Sequence, residues 1–227
     1  SSDLELKRVL AKEGCKPRRL APGLLAHEAR SAALSLRAGG FGAERASKEG
    51  AGHLLKAIQS RYECKASWEP GYYLGATMGW GCSKRACRLP MPGRAKQALT
   101  KLQHALKDHA YSPSPHAAPA YGKKRQLAPK DKTPAVPLKG QRLLQKVCGT
   151  FLYYARAADC AMAHALSELA ARATDGTQET VKAMKHFLNY CAANPGASVL
   201  PRASGMALRN HSGAACLAAA QARSRAG

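Results

Sequence analysis

The sequence predicts an α+β fold in two pieces joined by a proline-rich tether, and three observations support this prediction. Short alternating runs flank glycines, a pattern typical of β-hairpins. Longer segments place apolar residues every three or four positions, which is typical of amphipathic helices. Between these segments, residues 112–140 contain six prolines and many cations. Such a composition cannot form a packed core, so it predicts an extended basic linker.

The first piece, residues 1–111, is predicted to mix helices and hairpins. Its expected elements are a helix over 3–12, a loop over 16–23, strands over 31–38 and 41–45, a helix from Ser47, strands over 72–78 and 85–89, and a helix over 92–107. Gly39-Gly40 turns the first hairpin and Gly81-Cys82-Ser83 turns the second. The last helix is basic and amphipathic, and the residues expected to face inward are Ala95, Leu99, Leu102 and Leu106.

The second piece, residues 141–196, is predicted to be mainly helical. Residues 141–173 carry a helical apolar pattern, and Thr177 is the expected N-cap of a further helix. Glu179 lies in the first turn of that helix, where the helix dipole favours an acid. The sequence Asn194-Pro195-Gly196 ends it. Two short strands, over 198–201 and 206–210, are expected in the remaining segment, 197–227.

The charge of the chain is large and unevenly distributed. Thirty-six Lys and Arg oppose 14 Asp and Glu, giving a formal net charge of +22. Residues 70–158 hold sixteen of these cations and only two acids, Asp108 and Asp131. A positive field of this kind favours polyanions, because each neutralised phosphate releases condensed counterions. A solvated surface and an acidic protein partner are the alternatives.

Targeting and membrane segments are not predicted. The most apolar stretch, 157–173, carries Asp159, His164, Glu168 and Arg172, whereas a membrane span needs about 20 apolar residues. No basic-then-apolar signal peptide opens the sequence. The first residue is Ser1 rather than Met, which predicts a fragment or a processed product.

Eight cysteines are spread along the chain, which favours small semi-buried side chains in a reducing intracellular compartment over a disulfide framework. One spacing, Cys82-x4-Cys87 followed by His104-x4-His109, is close to a zinc pattern. The two histidines, however, are five residues apart on a predicted helix, about 140° apart around its axis. We therefore predict no zinc site.

Residue types alone predict no active site. A two-metal polymerase or nuclease needs clustered carboxylates, and acids are scarce and scattered in this sequence. No Gly-rich phosphate loop followed by Lys-Ser or Lys-Thr is present. His211-Ser212 has no acid nearby in sequence that would complete a catalytic triad.

The order of several segments nevertheless resembles a known family. These segments are Ala21-Pro22-Gly23-Leu24, Phe41-Gly42, AGHLLKAIQSRY from Ala51, Tyr73-Leu74-Gly75, Leu89-Pro90-Met91-Pro92-Gly93, KVCGTFLYYARAA from Lys146, Leu188-Asn189-Tyr190-Cys191, His211-Ser212, and QARSRAG from Gln221. Together they resemble the polyprotein of copia-type retrotransposons. The likeness covers nearly the whole chain.

This resemblance implies the late palm, thumb and connection of a reverse transcriptase, running into the start of ribonuclease H. On that basis, 1–111 is a palm/thumb-like segment, 112–140 a basic linker, 141–196 the helical connection and 197–227 a truncated ribonuclease H-like start. The family synthesises DNA on an RNA template with Mg²⁺. Its metal-binding Asp pair on the palm hairpin corresponds to Gly39 and Gly40, and its first ribonuclease H ligand corresponds to Gly213.

The differences from the family's sequence are of one kind. Glycine stands where the family has Asp at Gly39, Gly40, Gly79, Gly81, Gly196, Gly205 and Gly213. Each difference corresponds to one A-to-G change at the second codon base. We interpret this bias as decay of a retroelement reading frame, or as editing of its transcript.

The sequence therefore predicts a catalytically inactive reverse-transcriptase remnant without a cofactor, which keeps non-specific binding to the phosphate backbone of RNA or an RNA–DNA hybrid. The residues expected to contact phosphates are Lys84, Arg85, Arg88, Arg94, Lys96, Lys101, Lys123, Lys124 and Arg125. The alternative is a basic structural subunit recruited into a ribonucleoprotein or another large assembly, where fold and charge matter and carboxylates do not.

Overall fold

A computed structural model describes residues 2–27, 29, 32–37, 40–45, 48–69, 71–106, 108–115, 131–203 and 205. The chain divides into two compact units, Ser1–Tyr73 and Leu74–Gly227. Each unit combines helices with antiparallel strands, so the predicted α+β class is confirmed.

The first unit packs two helices on a four-stranded sheet. Its elements are α1 (Ser2–Lys12), β1 (Cys15–Arg18), β2 (Ala21–His27), β3 (Ala32–Arg37), β4 (Gly40–Arg45), α2 (Lys48–Gln59) and the short strand β5 (Tyr72–Tyr73). The four longer strands are antiparallel and lie in the order β1-β2-β3-β4. The core between sheet and helices contains Leu6, Leu10, Cys15, Leu25, Ala32, Leu34, Leu54 and Ile58.

The predicted hairpin over 31–45 is confirmed, with Leu36 opposite Phe41, but Gly40 lies opposite Arg37 in β4 and is not part of the turn; Gly39 lies outside the described residues. The predicted loop over 16–23 is wrong. Most of this segment belongs to β1 and β2, with Pro17 opposite Leu25 and an irregularity before Arg18. Proline lacks an N–H and is therefore a loop signal in the sequence, but β1 is an edge strand, where a proline is tolerated.

The second unit combines a three-stranded sheet with a helical core. Its elements are β6 (Ala76–Thr77), β7 (Gly79–Gly81), a 3₁₀ turn (Cys82–Lys84), β8 (Ala86–Pro90), α3 (Arg94–Lys101), α4 (Leu138–Ala157), α5 (Met162–Ala171), α6 (Gln178–Ala193) and β9 (Ser198–Val199). Helix α3 packs on α4 and α6. Phe151 and Phe187 meet edge to face in the core, with ring centroids 5.4 Å apart.

This packing explains why the predicted segment 1–111 spans the boundary between the two units. The buried face of α3 consists of Ala95, Ala98 and Leu99, which join the core of α4 to α6. Residues 74–111 therefore belong with the helices that follow them. The predicted boundary came from the proline-rich composition, which carries no information about what the face of α3 packs against.

The second predicted hairpin needs a correction. Its first strand is β7, in which Gly79 lies opposite Arg88 and Trp80 opposite Cys87. The segment 72–78 instead contains the two-residue strands β5 and β6. On the other side of β8, β9 places Val199 opposite Leu89, in agreement with the strand expected over 198–201.

The predicted basic helix over 92–107 is shorter than expected. α3 ends at Lys101, and Gln103 adopts a left-handed φ of 54°. The N–H of His104 donates to the carbonyl of Leu99 and that of Gln103 to Thr100, which is the Schellman arrangement that ends a helix. Gln103 is neither Gly nor Asn, so this helix end carries no stop signal in the sequence. Leu106, expected to face inward, is 50% exposed.

The predicted linker ends earlier than Gly140. Val136 is buried in the core, and its N–H donates to the carbonyl of Gly176. Leu138 already begins α4. The predicted long helix over 141–173 is in turn divided into α4 and α5. Thr177 caps α6 through Thr180, as expected for an N-cap. The strand expected over 206–210 lies outside the described residues.

Candidate nucleic-acid interface

Three of the predicted phosphate-binding residues lie on the β7–β8 hairpin. Lys84 and Arg85 are exposed at its tip, where Arg85 adopts a left-handed φ of 48° and donates its N–H to the carbonyl of Cys82. Arg88 lies on β8 opposite Gly79. Its Nε donates to Ser198 Oγ over 2.9 Å, so its guanidinium is held against β9.

Three more predicted residues lie on α3. Arg94, Lys96 and Lys101 are exposed and flank the buried face of α3, with Arg94 and Lys101 on one side of it and Lys96 on the other. The helix has no acid in its first turn, and its N-cap, Gly93, offers no side chain to the free N–H groups. The positive end of the helix dipole therefore adds to the charges of Arg94 and Lys96. Lys123, Lys124 and Arg125 lie outside the described residues.

The structure identifies a second row of cations that the sequence-based set omitted. Helix α4 contains Lys139, Arg142, Lys146 and Arg156 and no Asp or Glu. Arg142, Lys146 and Arg156 are exposed. Together with Gly149 and Tyr153 they follow the spacing four, three, four, three, which keeps the five positions within about 80° around the helix axis. This spacing was visible in the sequence, but the helix was assigned only to the core.

The middle of this row is open. A Cβ atom built on Gly149 would have no other atom within 4 Å, so a ligand can approach the backbone of α4 closely at this point. Tyr153, one turn further along, is 44% exposed. Its hydroxyl donates to the carbonyl of Leu74, which holds its ring at the edge of the row. We call Arg142, Lys146, Gly149, Tyr153 and Arg156 the α4 row.

Charge is concentrated in the unit that carries both sets. Leu74–Gly227 contains 23 Lys and Arg against 6 Asp and Glu, a net charge of +17, whereas Ser1–Tyr73 contains 13 against 8, a net charge of +5. None of the four α4 cations forms an ion pair with a described carboxylate; the ion pair of this unit joins Arg172 to Glu168. These cations are therefore available to an anionic ligand.

The carboxylate that lies deepest in the second unit is structural. Asp159 is 7% exposed at the corner between α4 and α5. It accepts hydrogen bonds from the N–H of Ala161 at 3.2 Å and the hydroxyl of Tyr190 at 3.3 Å. Burial raises the pKa of Asp159, and this effect outweighs the two hydrogen bonds, which lower the pKa. Burial and the nearby Asp159 charge raise the pKa of Tyr190 to about 12. The carboxylate thus fixes the start of α5 and ties it to α6.

The Mg²⁺ that the family resemblance implies does not fit the residues present. Gly40 opens β4 on the predicted palm hairpin and has no side-chain oxygen; Gly39 and Gly213 lie outside the described residues and are glycines as well. Within the described ranges, no three His, Cys, Asp or Glu side chains converge as metal ligands. Cys82, Cys87, His104 and His109 do not form such a group. His104 is hydrogen-bonded to Asn189 at 2.8 Å.

Comparisons with known proteins do not help to interpret this geometry. No protein-family model, curated protein or solved structure matches the chain. The resemblance to copia-type polyproteins therefore stays a prediction based on segment order. In the described part of the chain, no helix combines the length and the apolar composition needed to cross a bilayer, in line with the sequence prediction.

Proposed function

We propose that this chain is a catalytically inactive remnant of a copia-type reverse transcriptase that binds the phosphate backbone of RNA or an RNA–DNA hybrid without reading its sequence. The observation that carries the binding is the positive surface of the second unit, where the β7–β8 hairpin, α3 and α4 expose cations and contribute no Asp or Glu. Phosphate contacts position a nucleic acid but do not distinguish bases.

The proposed inactivity has a separate basis. Two divalent ions about 4 Å apart need side-chain oxygens to hold them, and the positions that correspond to the family's ligands are Gly39, Gly40 and Gly213. The remnant assignment accounts for both properties, because the loss of Asp residues removes the metal ligands and raises the net positive charge together.

The binding is tested with a fluorescein-labelled RNA–DNA hybrid and three matched triple variants of the full chain. One variant changes Arg88, Arg94 and Lys101 to Glu, and a second changes Arg142, Lys146 and Arg156 to Glu. The control changes Lys12, Lys56 and Arg61, which are exposed in the first unit, to Glu. All three lower the net charge equally.

We expect the first two variants to bind the hybrid at least tenfold more weakly, because each lost phosphate contact lowers affinity whatever the sequence. The control should bind within about threefold of the unchanged chain, since its substitutions alter only the long-range field, which salt screens. Equal losses in all three variants would show that net charge alone, rather than these surfaces, drives binding. A hybrid of scrambled sequence should bind equally well.

Exposed apolar side chains favour a second candidate function, a basic structural subunit of a ribonucleoprotein or another large assembly. In the second unit, Trp80, Tyr111 and Leu138 are 57%, 87% and 61% exposed. Side chains of this kind are enriched in the cores of protein interfaces. Recovery of the chain in a stoichiometric complex, with these residues protected from solvent, would favour this function over free nucleic-acid binding.

A further inference from the structure

The segment that follows α3 contains a repeated Ser-Pro pair. Its sequence is Tyr111-Ser112-Pro113-Ser114-Pro115, and a third hydroxyl-proline pair, Thr133-Pro134, occurs further along the chain. Proline fixes its own φ, lacks an N–H, and pushes the preceding residue into an extended conformation. Proline after the serine therefore restricts its backbone, and in this structure the chain bends over residues 111–114.

The hydroxyls of Ser112, Ser114 and Thr133 have different surroundings in the structure. Thr133 Oγ1 donates to Asp131 Oδ1 and accepts from the N–H of Glu179, so it is held in the cap of α6. Ser114 is half-buried. Ser112 is exposed beside Tyr111, and its hydroxyl contacts only the local carbonyl of Ser114, at 2.6 Å. Thr133 is exposed as well, but its hydroxyl has two partners, so Ser112 is the less constrained of the two exposed hydroxyls.

One donor on α6 contacts the backbone of Ser112. His186 Nε2 lies 3.0 Å from the carbonyl of Ser112, and because a carbonyl only accepts, this ring nitrogen carries the proton. Lys182 is exposed one turn earlier on the same face of α6. A phosphate on Ser112 would place a charge near −2 and three acceptor oxygens on the residue whose carbonyl His186 contacts, one helical turn from Lys182.

We propose that Ser112 is a phosphorylation site for a proline-directed serine/threonine kinase and that His186 and Lys182 hold the phosphate. In the transfer, Ser112 Oγ forms a bond to the γ-phosphorus of ATP, the bond between that phosphorus and the bridging oxygen breaks, and ADP leaves. The hydroxyl proton passes to the base of the kinase. The phosphoserine ties the segment 108–115 more firmly to α6.

The site is tested by incubating the full chain with ATP, Mg²⁺ and a purified proline-directed kinase, followed by intact-mass measurement and peptide mapping. A synthetic peptide of residues 106–120 serves as the kinase control. We expect one phosphate on Ser112, lost in Ser112→Ala and Pro113→Ala and kept in Ser114→Ala and Thr133→Ala. No phosphate on the folded chain, a phosphate only after heat unfolding, or one on Ser114 or Thr133 in place of Ser112 would overturn the assignment.

The role of α6 is tested separately on the phosphorylated chain. Hydrogen exchange of residues 108–115 should slow at least threefold on phosphorylation, and the slowing should disappear in a Lys182→Ala, His186→Ala double variant that is phosphorylated to the same extent. An exchange rate that phosphorylation leaves unchanged, or a slowing that survives in the double variant, would overturn the proposed holding of the phosphate.

Discussion

Gly42 in β4 is required by the ring of Tyr73. A Cβ atom built on Gly42 would lie 2.5 Å from Tyr73 Cζ and 2.6 Å from its hydroxyl oxygen, well inside van der Waals contact. Because these atoms are the far end of the Tyr73 side chain, which can shift, Gly42→Ala should lower the free energy of unfolding by about 1 kcal/mol, the low end of the cost of overpacking. Urea unfolding followed by circular dichroism measures this change. A Gly42→Ala variant as stable as the original would show that the ring moves freely.

Substitutions of Tyr73 are the matched controls for Gly42→Ala. Among the described residues, its buried hydroxyl has no hydrogen-bond partner. Tyr73→Phe removes this polar atom and should leave stability unchanged or raise it, because an unsatisfied buried hydroxyl contributes only its desolvation cost. In a double-mutant cycle, Tyr73→Ala should relieve most of the effect of Gly42→Ala. Additive effects would contradict the proposed contact.

At the scale of one element, the start of α6 depends on Asp131. This carboxylate accepts hydrogen bonds from the hydroxyl of Thr177 and from the N–H and hydroxyl of Thr133. These bonds lower the pKa of Asp131 below its ordinary value of 3.8, with the Thr177 bond as the largest cause. The stability that it contributes is thus present above that value and is lost as the pH falls through the lowered pKa.

Asp159 responds to pH in the opposite direction. Burial raises its pKa above 3.8, so its contribution is present below that value and is lost as the pH rises through the raised pKa. Relative to the unchanged chain, Asp131→Asn should lose more stability at pH 6 than at pH 2.5, because the lowered pKa of Asp131 makes its contribution fall as the pH falls. The stability of Asp159→Asn relative to the unchanged chain should be higher at pH 6 than at pH 3. The urea concentration at the unfolding midpoint, measured at these pH values, tests both predicted directions. If the stability of the two variants relative to the unchanged chain changed with pH in the same direction, the predictions would be contradicted.

The elements that the sequence predicted well are those with local signals. The two paired strands of the hairpin over 31–45 and the Thr177 cap of α6 needed only nearby residues. The end of α3 at Gln103 and the strand character of Pro17 depended on tertiary context, which overrides local propensity. Six of the nine predicted phosphate-binding residues lie on exposed positions of the hairpin and α3, but the α4 row was missed because the apolar pattern of α4 directed attention to its buried face.

At the scale of the whole molecule, the proposed inactivity predicts the outcome of primer extension. With an RNA template, a DNA primer and either Mg²⁺ or Mn²⁺, the chain should add no nucleotides, because the proposed palm positions, Gly39 and Gly40, lack side-chain oxygens. A Gly39→Asp, Gly40→Asp variant should bind Mn²⁺ more tightly by electron paramagnetic resonance, since it restores two carboxylates. Metal-dependent synthesis by the unchanged chain would contradict the proposed loss of catalysis.

The most direct test of the central claim is the salt dependence of binding to an RNA–DNA hybrid. If cations of the hairpin, α3 and α4 contact phosphates, log K should fall linearly with log salt, with a slope of roughly −3 to −6. The Arg142, Lys146 and Arg156 to Glu variant should reduce the magnitude of that slope by about 2 to 3, whereas the first-unit control should not. A flat line, or a slope that both variants leave unchanged, would contradict phosphate-backbone binding by this surface.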